Sequence, residues 1–195
     1  QRAFLTRRVA IGELTLRSLG GTKLNLEAEL EARKAEARPL LALASQLPGT
    51  EKPLWDTLEV SYFARHDATD LAWHARVLWR HIRTAVPVVS ARASPLGEGL
   101  QVLVYAPDIT DLFARICGYF DNAGFSVLDA KVHTSRAAAL PRDRTAPPRQ
   151  VGDEATLQAP SHGYGLDTFQ LVHPQIDEGD QTAYRDLISL VETQL

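Results

Sequence analysis

The chain has no methionine, a single cysteine, and no excess of positive charge. Each shortage excludes something. One cysteine, Cys117, leaves no partner for an intrachain disulfide. No window reaches the roughly 18 uninterrupted apolar residues of a transmembrane helix. Residues 1–21 begin basic, but polar residues keep breaking any signal-peptide core. Twenty-one Lys and Arg against 24 Asp and Glu leave a net charge of −3, so the electrostatic footprint of a general nucleic-acid binder is missing. These points favour the cytosol and count against membrane and nucleic-acid partners. The missing initiator methionine, and a last stretch that reads as helix (Asp180–Leu195), suggest a piece of a longer protein.

What is present is an apolar content of 45% over 195 residues, enough for one domain with a helical extension. Residues 1–85 read as helical. Arg2–Leu19 is rich in helix formers and stops at Gly20-Gly21. Leu24–Arg38 is a second helix, expected to end at Pro39. A further turn or two follows over Pro39–Leu47. Pro53–Phe63 opens on a proline suited to a first helical position. Asp67 then reads as an N-cap with Asp70 three residues on, and the following helix runs to Ala85. Its apolar stripe is Leu71, Ala75, Leu78 and Ile82, flanked by Trp73 and Trp79.

From residue 86 the pattern changes. Val86–Ala91 and Leu100–Ala106 are β-branched runs joined by Ser94–Gly99, a hairpin signal. Asp111–Ala123 has helical spacing, with Leu112, Phe113, Ile116, Cys117 and Phe120 on one face and Asn122 and Gly124 near its end. Ser126–Thr134 and Tyr164–Val172 are strands, and Thr182–Leu195 is a closing helix. Between those two strands, residues 137–163 hold four prolines, three arginines and no periodicity, and read as a long disordered insertion. The order from residue 100 is β-α-β-β-α, a ferredoxin-like half-sandwich without its last strand. Val86–Ala91 is expected to fill that edge beside Leu100–Ala106, since an open edge invites aggregation. The expected class is α+β: a helical part over 1–85, then a βαββα(β) domain over 86–195.

Three sets of residues carry a resemblance. The first is Tyr62-Phe63-Ala64-Arg65-His66 with Leu71-Ala72-Trp73-His74. The second is Tyr105-Ala106-Pro107-Asp108 with Leu112-Phe113-Ala114-Arg115-Ile116. The third is Asp129-Ala130-Lys131-Val132-His133-Thr134 with Leu166-Asp167-Thr168-Phe169. As a set they resemble the bifunctional PII uridylyltransferase/uridylyl-removing enzymes over roughly Leu54 to Leu195. The resemblance implies the stretch from the end of the hydrolase (HD) region to the first of two C-terminal ACT domains, βαββαβ modules that usually bind amino acids. It implies glutamine as an effector, the PII protein and other domains of the same chain as partners, and Mg2+ for the parent enzyme. It places no cofactor and no catalytic residue in this segment, which lacks the Gly-Ser motif and paired aspartates of a nucleotidyltransferase.

The candidate ligand site is the turn Asp108, Ile109, Thr110, Asp111 and Leu112. A helix N-terminus there offers free backbone N–H groups to a carboxylate, and Asp108 or Asp111 could hold an α-ammonium. The alternative is simple helix capping by Asp108 or Thr110. The usual ACT turn has Pro-Gly, whereas the family's first ACT domain often has a non-glycine turn like this one; Ile109 and the extra carboxylate make close approach of a ligand carboxylate harder. A structural module for docking or oligomerisation is the competing function. His66-Asp67 with His74 and His81 suggests a zinc site, against an N-cap at Asp67 and partly exposed histidines. His133 reads as a satisfied strand histidine, Cys117 as a buried inert thiol, and Asp167 as a carboxyl of unknown role. An RNA-recognition reading shares the βαββα order, but Tyr164 and Phe169 have no Lys or Arg beside them.

Overall fold

The computed structural model describes residues 23–82, 84–95, 97, 99–135, 163–175 and 181–195. The expected first helix (Arg2–Leu19) and the insertion at 137–162 lie outside the described residues. Ten elements follow in order: α1 (Lys23–Leu43), α2 (Lys52–Trp55), α3 (Val60–Arg65), α4 (Ala68–Leu78), β1 (Val88–Ala93), β2 (Leu100–Pro107), α5 (Leu112–Asn122), β3 (Ser126–Ser135), β4 (Tyr164–Val172) and α6 (Gln181–Gln194).

The four strands form one antiparallel sheet in the order β1-β2-β4-β3. This is the ferredoxin-like arrangement, and β1 occupies the edge left by the missing last strand. Val88 to Ala93 pair with Tyr105 to Leu100 in unbroken register. The hairpin closes on Gly99 at φ +73°, where a Cβ would meet the Leu171 carbonyl oxygen at 1.9 Å. Only glycine fits that approach. The outer side of β1 is not left bare, because Glu192 of α6 accepts from the Ala91 N–H at 2.8 Å.

A strand presents alternate residues to opposite faces, and here each face meets helices. Val102, Val104, Phe169 and Leu171 pack under Ile116 and Phe120 of α5 and Leu187 and Val191 of α6. Leu103, Tyr105, Tyr164 and Leu166 pack on the other face against α1–α4, through Leu41, Leu54, Tyr62, Leu71 and Leu78 among others. The helical part therefore covers the sheet face opposite α5 and α6. α5 ends as expected at Gly124, with φ +83°. The Phe125 N–H bonds to the Phe120 carbonyl and the Gly124 N–H to the Asp121 carbonyl, a Schellman closure.

The helical boundaries differ from expectation in three places. α1 runs through Pro39 to Leu43 rather than stopping before it. A mid-helix proline costs about 3 kcal/mol, but Leu30, Ala37 and Leu41 bury along one face of α1 and hold it together. The expected helix Pro53–Phe63 is two short helices, α2 and α3. Thr57 turns its hydroxyl onto the Leu54 carbonyl at 2.7 Å, competing with the helical ladder, and Glu59 is extended. α4 stops at Leu78 instead of Ala85. Trp73 is buried rather than flanking, because the sheet covers α4 more widely than one stripe.

Candidate functional site

The candidate turn lies between β2 and α5. Asp108 is half-buried, its N–H bonded to the Gly163 carbonyl at 3.0 Å, while Ile109, Thr110 and Asp111 are exposed. Asp111 is the N-cap of α5 and sits in the left-handed region at φ 62°. The N-cap position is therefore Asp111 and not Asp108 or Thr110, and the Asp111 side chain makes no capping bond. Leu112 reaches over Gly165 of β4. The turn thus starts α5 without a side-chain cap from Asp111, while the Leu112 N–H bonds to the Ile109 carbonyl at 3.3 Å.

Below it, on the α5 face of β4, is Asp167, 3% exposed. Its carboxyl accepts a bond from the His133 backbone, yet Oδ1 has no partner. Burial pushes its pKa up to about 6, and the nearby Asp108 charge adds to the rise. Cys117, on the facing helix, is half-buried, with its thiol pushed up by burial, which suits an inert thiol.

The larger polar cluster is at the seam between α1–α4 and the sheet. Asp70 of α4 is the hub. Its Oδ1 accepts from Arg92 Nη2 of β1 at 2.9 Å and from Gln101 Nε2 of β2 at 2.8 Å. Its Oδ2 accepts from Lys131 Nζ of β3 at 3.3 Å. Burial alone would raise the Asp70 pKa. The Lys131 charge, the Gln101 bond and the Arg92 charge help outweigh burial, and its pKa is lowered. Asp70 was expected only as a capping partner. The Asp67 carboxylate does cap α4, accepting from the Asp70 N–H at 2.8 Å, but the Asp70 side chain points to the sheet. A hint was present in sequence: Gln101, Lys131 and His133 interrupt apolar strands on the face that a two-layer sandwich leaves open.

Beside Asp70 lie three buried histidines around Tyr62. The Tyr62 hydroxyl is 2.7 Å from His74 Nδ1, and Thr168 Oγ1 is 3.5 Å from His74 Nε2. His66 Nδ1 lies 2.9 Å from the Tyr62 carbonyl, so that nitrogen carries the proton. His66 Nε2 and His133 Nε2 have no partner. The ring centroids of His66 stand 5.0 Å from His74 and 5.3 Å from His133. Burial, chiefly, lowers the His66 pKa to about 3 and the His133 pKa to about 4, and holds that of His74 well below its usual value. All three are therefore neutral imidazoles near pH 7.

The zinc reading fails on this geometry. His81 is exposed while His74 is fully buried with both nitrogens engaged, and no group of three or more metal-capable side chains exists among the described residues. His133 differs from expectation, because it is buried without a partner at Nε2 instead of being satisfied. Base stacking is closed off too. Tyr164 is buried against the helical layer, and Phe169 is fully buried beneath α5. No helix among the described residues is long and apolar enough to cross a membrane.

Fold and seam together define an α+β protein in which a ferredoxin-like sheet is sandwiched between two helical layers and locked to one of them by buried polar groups. Residues 25–77 match the family model described as "Uridylyltransferase GlnD fifth domain". Over 93% of its length the chain is similar to proteins named bifunctional uridylyltransferase/uridylyl-removing enzyme. It is 46% identical to that of Ralstonia nicotianae over 182 residues, and 44% identical over 181 residues to those of Burkholderia mallei and Burkholderia thailandensis. The chain is similar to a segment of these proteins, spanning 18% of the length of each of them.

Proposed function

We propose that this chain is the regulatory segment of a bifunctional enzyme that attaches UMP to the PII protein and removes it in response to glutamine. Residues 86–195 act as an ACT domain, and residues 1–85 link it to the domain before it. One observation carries this reading: β1 completes the four-stranded ferredoxin-like sheet, leaving the β2–α5 turn exposed where an amino acid can reach it. Asp108, Ile109, Thr110, Asp111 and Leu112 form that site. The ligand carboxylate meets N–H groups of the first turn of α5, and Asp108 or Asp111 meets the ammonium. Binding shifts the balance of the two activities by favouring one arrangement of the full protein over another. The enzyme works in the cytoplasm, with Mg2+ at catalytic domains outside this segment.

The second reading is a docking or oligomerisation module without a ligand. The exposed apolar side chains Ile109 and Phe113 beside the turn, and Leu128 and Val132 on edge strand β3, favour it. Calorimetry on the full-length enzyme separates the two. Under the sensing reading, glutamine binds, and Thr110→Pro or Asp111→Lys weakens it. Glutamine affinity untouched by both changes, with loss of assembly on deleting residues 100–195, selects the docking reading.

A further inference from the structure

The two faces of the sheet are covered by layers of different chemistry. Under α5 and α6 the strands bury Val102, Val104, Phe169 and Leu171, and the rings of Phe120 and Phe169 meet at 5.1 Å between centroids. Under α1–α4 they bury Leu103, Tyr105, Tyr164 and Leu166, but also Gln101, Lys131, His133, Ser135 and Thr168. Apolar surface gains by leaving water, whereas a polar side chain only exchanges one hydrogen-bonding partner for another. The helical layer is therefore the more weakly held of the two.

Its polar attachment is concentrated. Arg92, Gln101 and Lys131 all donate to the Asp70 carboxylate, so one side chain joins α4 to three strands. Thr168 Oγ1 and His74 Nε2 stand at 3.5 Å, the limit of a hydrogen bond. His66 Nε2 and His133 Nε2 have no partner, on rings 5.3 Å apart across the seam. Whichever nitrogen of His133 carries the proton, the missing bond is regained when water enters.

The helical layer is also tied within itself. Arg33 of α1 donates to the carbonyls of Phe63, Ala64 and His66 at 2.6, 2.9 and 3.3 Å. Tyr62 of α3 meets His74 of α4 at 2.7 Å. The chain passes from this layer to the sheet once, through residues 79–87 between α4 and β1.

We propose that α1–α4 form a hinged layer, latched by Asp70, that lifts from the sheet as one body while the sheet stays folded on α5 and α6. The open form is a minor population in which Tyr105, Tyr164 and Thr168 meet water. The chain before residue 23 is carried by the helices, and the Asp108–Leu112 turn stays with the sheet. Opening therefore moves one relative to the other, and anything that prefers either form shifts the ratio. The hinge goes beyond the glutamine reading and operates with or without a ligand at the turn.

The test is native-state labelling of one buried thiol on each face of the sheet, in the full chain carrying Cys117→Ser. Thr168→Cys places the thiol under the helical layer and Val104→Cys places it under α5 and α6, at positions no more than 4% exposed. The thiol at 168 should react about tenfold or more faster than the thiol at 104. Leu187→Ala, on α6, should speed position 104 about thirtyfold. It should leave position 168 unchanged, because the hinge opens without disturbing α6. Asp70→Ala should speed position 168 about a hundredfold. Equal rates at the two positions overturn the proposal, as does a thiol at 168 that follows Leu187→Ala or ignores Asp70→Ala. Hydrogen exchange on the unsubstituted chain needs no variant to fold. Amides of α1 and α4 should exchange through a shared opening about tenfold or more frequent than that of β2 and β4. Equal protection of the two sets also overturns the proposal.

Discussion

The carboxylate of Asp70 on α4 and the ammonium of Lys131 on β3 stand 3.3 Å apart across the seam, both side chains at most 10% exposed. Arg92 and Gln101 reach the other oxygen of the same carboxylate. One side chain of the helical layer is thus bonded to three strands. Removing it leaves Lys131 and Arg92 short of a counter-charge in a poorly hydrated place. Asp70→Ala is expected to destabilise the protein by about 3 kcal/mol, in the range for breaking buried pairs. Adding Lys131→Met should recover part of that loss, because the orphaned ammonium goes with it. Urea unfolding of the three proteins checks this, and a cost for Asp70→Ala within experimental error would show that the hub does not hold the layers.

Acid should unfold the protein well above the usual carboxylate range. A histidine with a lowered folded pKa stabilises above its unfolded value of about 6.5, and loses that contribution as pH falls toward the folded value. His66, at about 3, His133, at about 4, and His74, lower than usual, all act in this sense. Asp167 acts oppositely, since its folded pKa of about 6 holds a proton that the unfolded chain has released. Near pH 5 the unfolded state then binds about two protons more than the folded state, a slope of about 3 kcal/mol per pH unit. Thermal unfolding between pH 7.5 and 5 should show a steep fall in Tm. A flat profile would mean that the imidazoles are not held neutral.

Asp167 gives an experiment of the opposite sign. Its raised pKa makes the ionised carboxyl unfavourable in the folded state, so its contribution is best at low pH and is lost as pH rises through about 6. Asp167→Asn keeps an acceptor for the His133 backbone and removes the charge. The variant should be more stable than the parent at pH 7.5, by at most about 3 kcal/mol. The advantage should vanish by about pH 4. Denaturation midpoints measured at both values decide the matter, and an advantage that grows in acid would reverse the assignment.

The contact of Glu192 with the Ala91 N–H protects the outer edge of β1. Glu192→Ala is expected to cost about 1 kcal/mol and to speed hydrogen exchange at Ala91. Unchanged exchange there would show that the contact does not persist in solution.

Much of this architecture is legible in the sequence. The Asp67 cap, the Gly124 closure, the strand–helix–strand–strand order and the use of β1 as the fourth strand all rest on local chemistry. Each involves residues within a few positions of one another, or a period of two or near four. The limits of local reasoning show at Pro39 and at Thr57. Pro39 marked a helix end by its own propensity, and burial of Ala37 and Leu41 overrode it. Thr57 broke a helix that the surrounding pattern favoured.

The seam was not legible for a different reason. Asp70, Arg92, Gln101 and Lys131 are separated by up to 61 positions, and nothing local marks them as partners. By itself the sequence determined the order of strands and helices from β1 onward, the edge strand and the family resemblance, because these follow from backbone propensity, hydrophobic period and motif. Only the tertiary structure decided that the helical part covers the second face of the sheet. That burial turns Asp70 into a hub and leaves His66 and His133 without partners, since desolvation acts only once α4 and β3 are packed together.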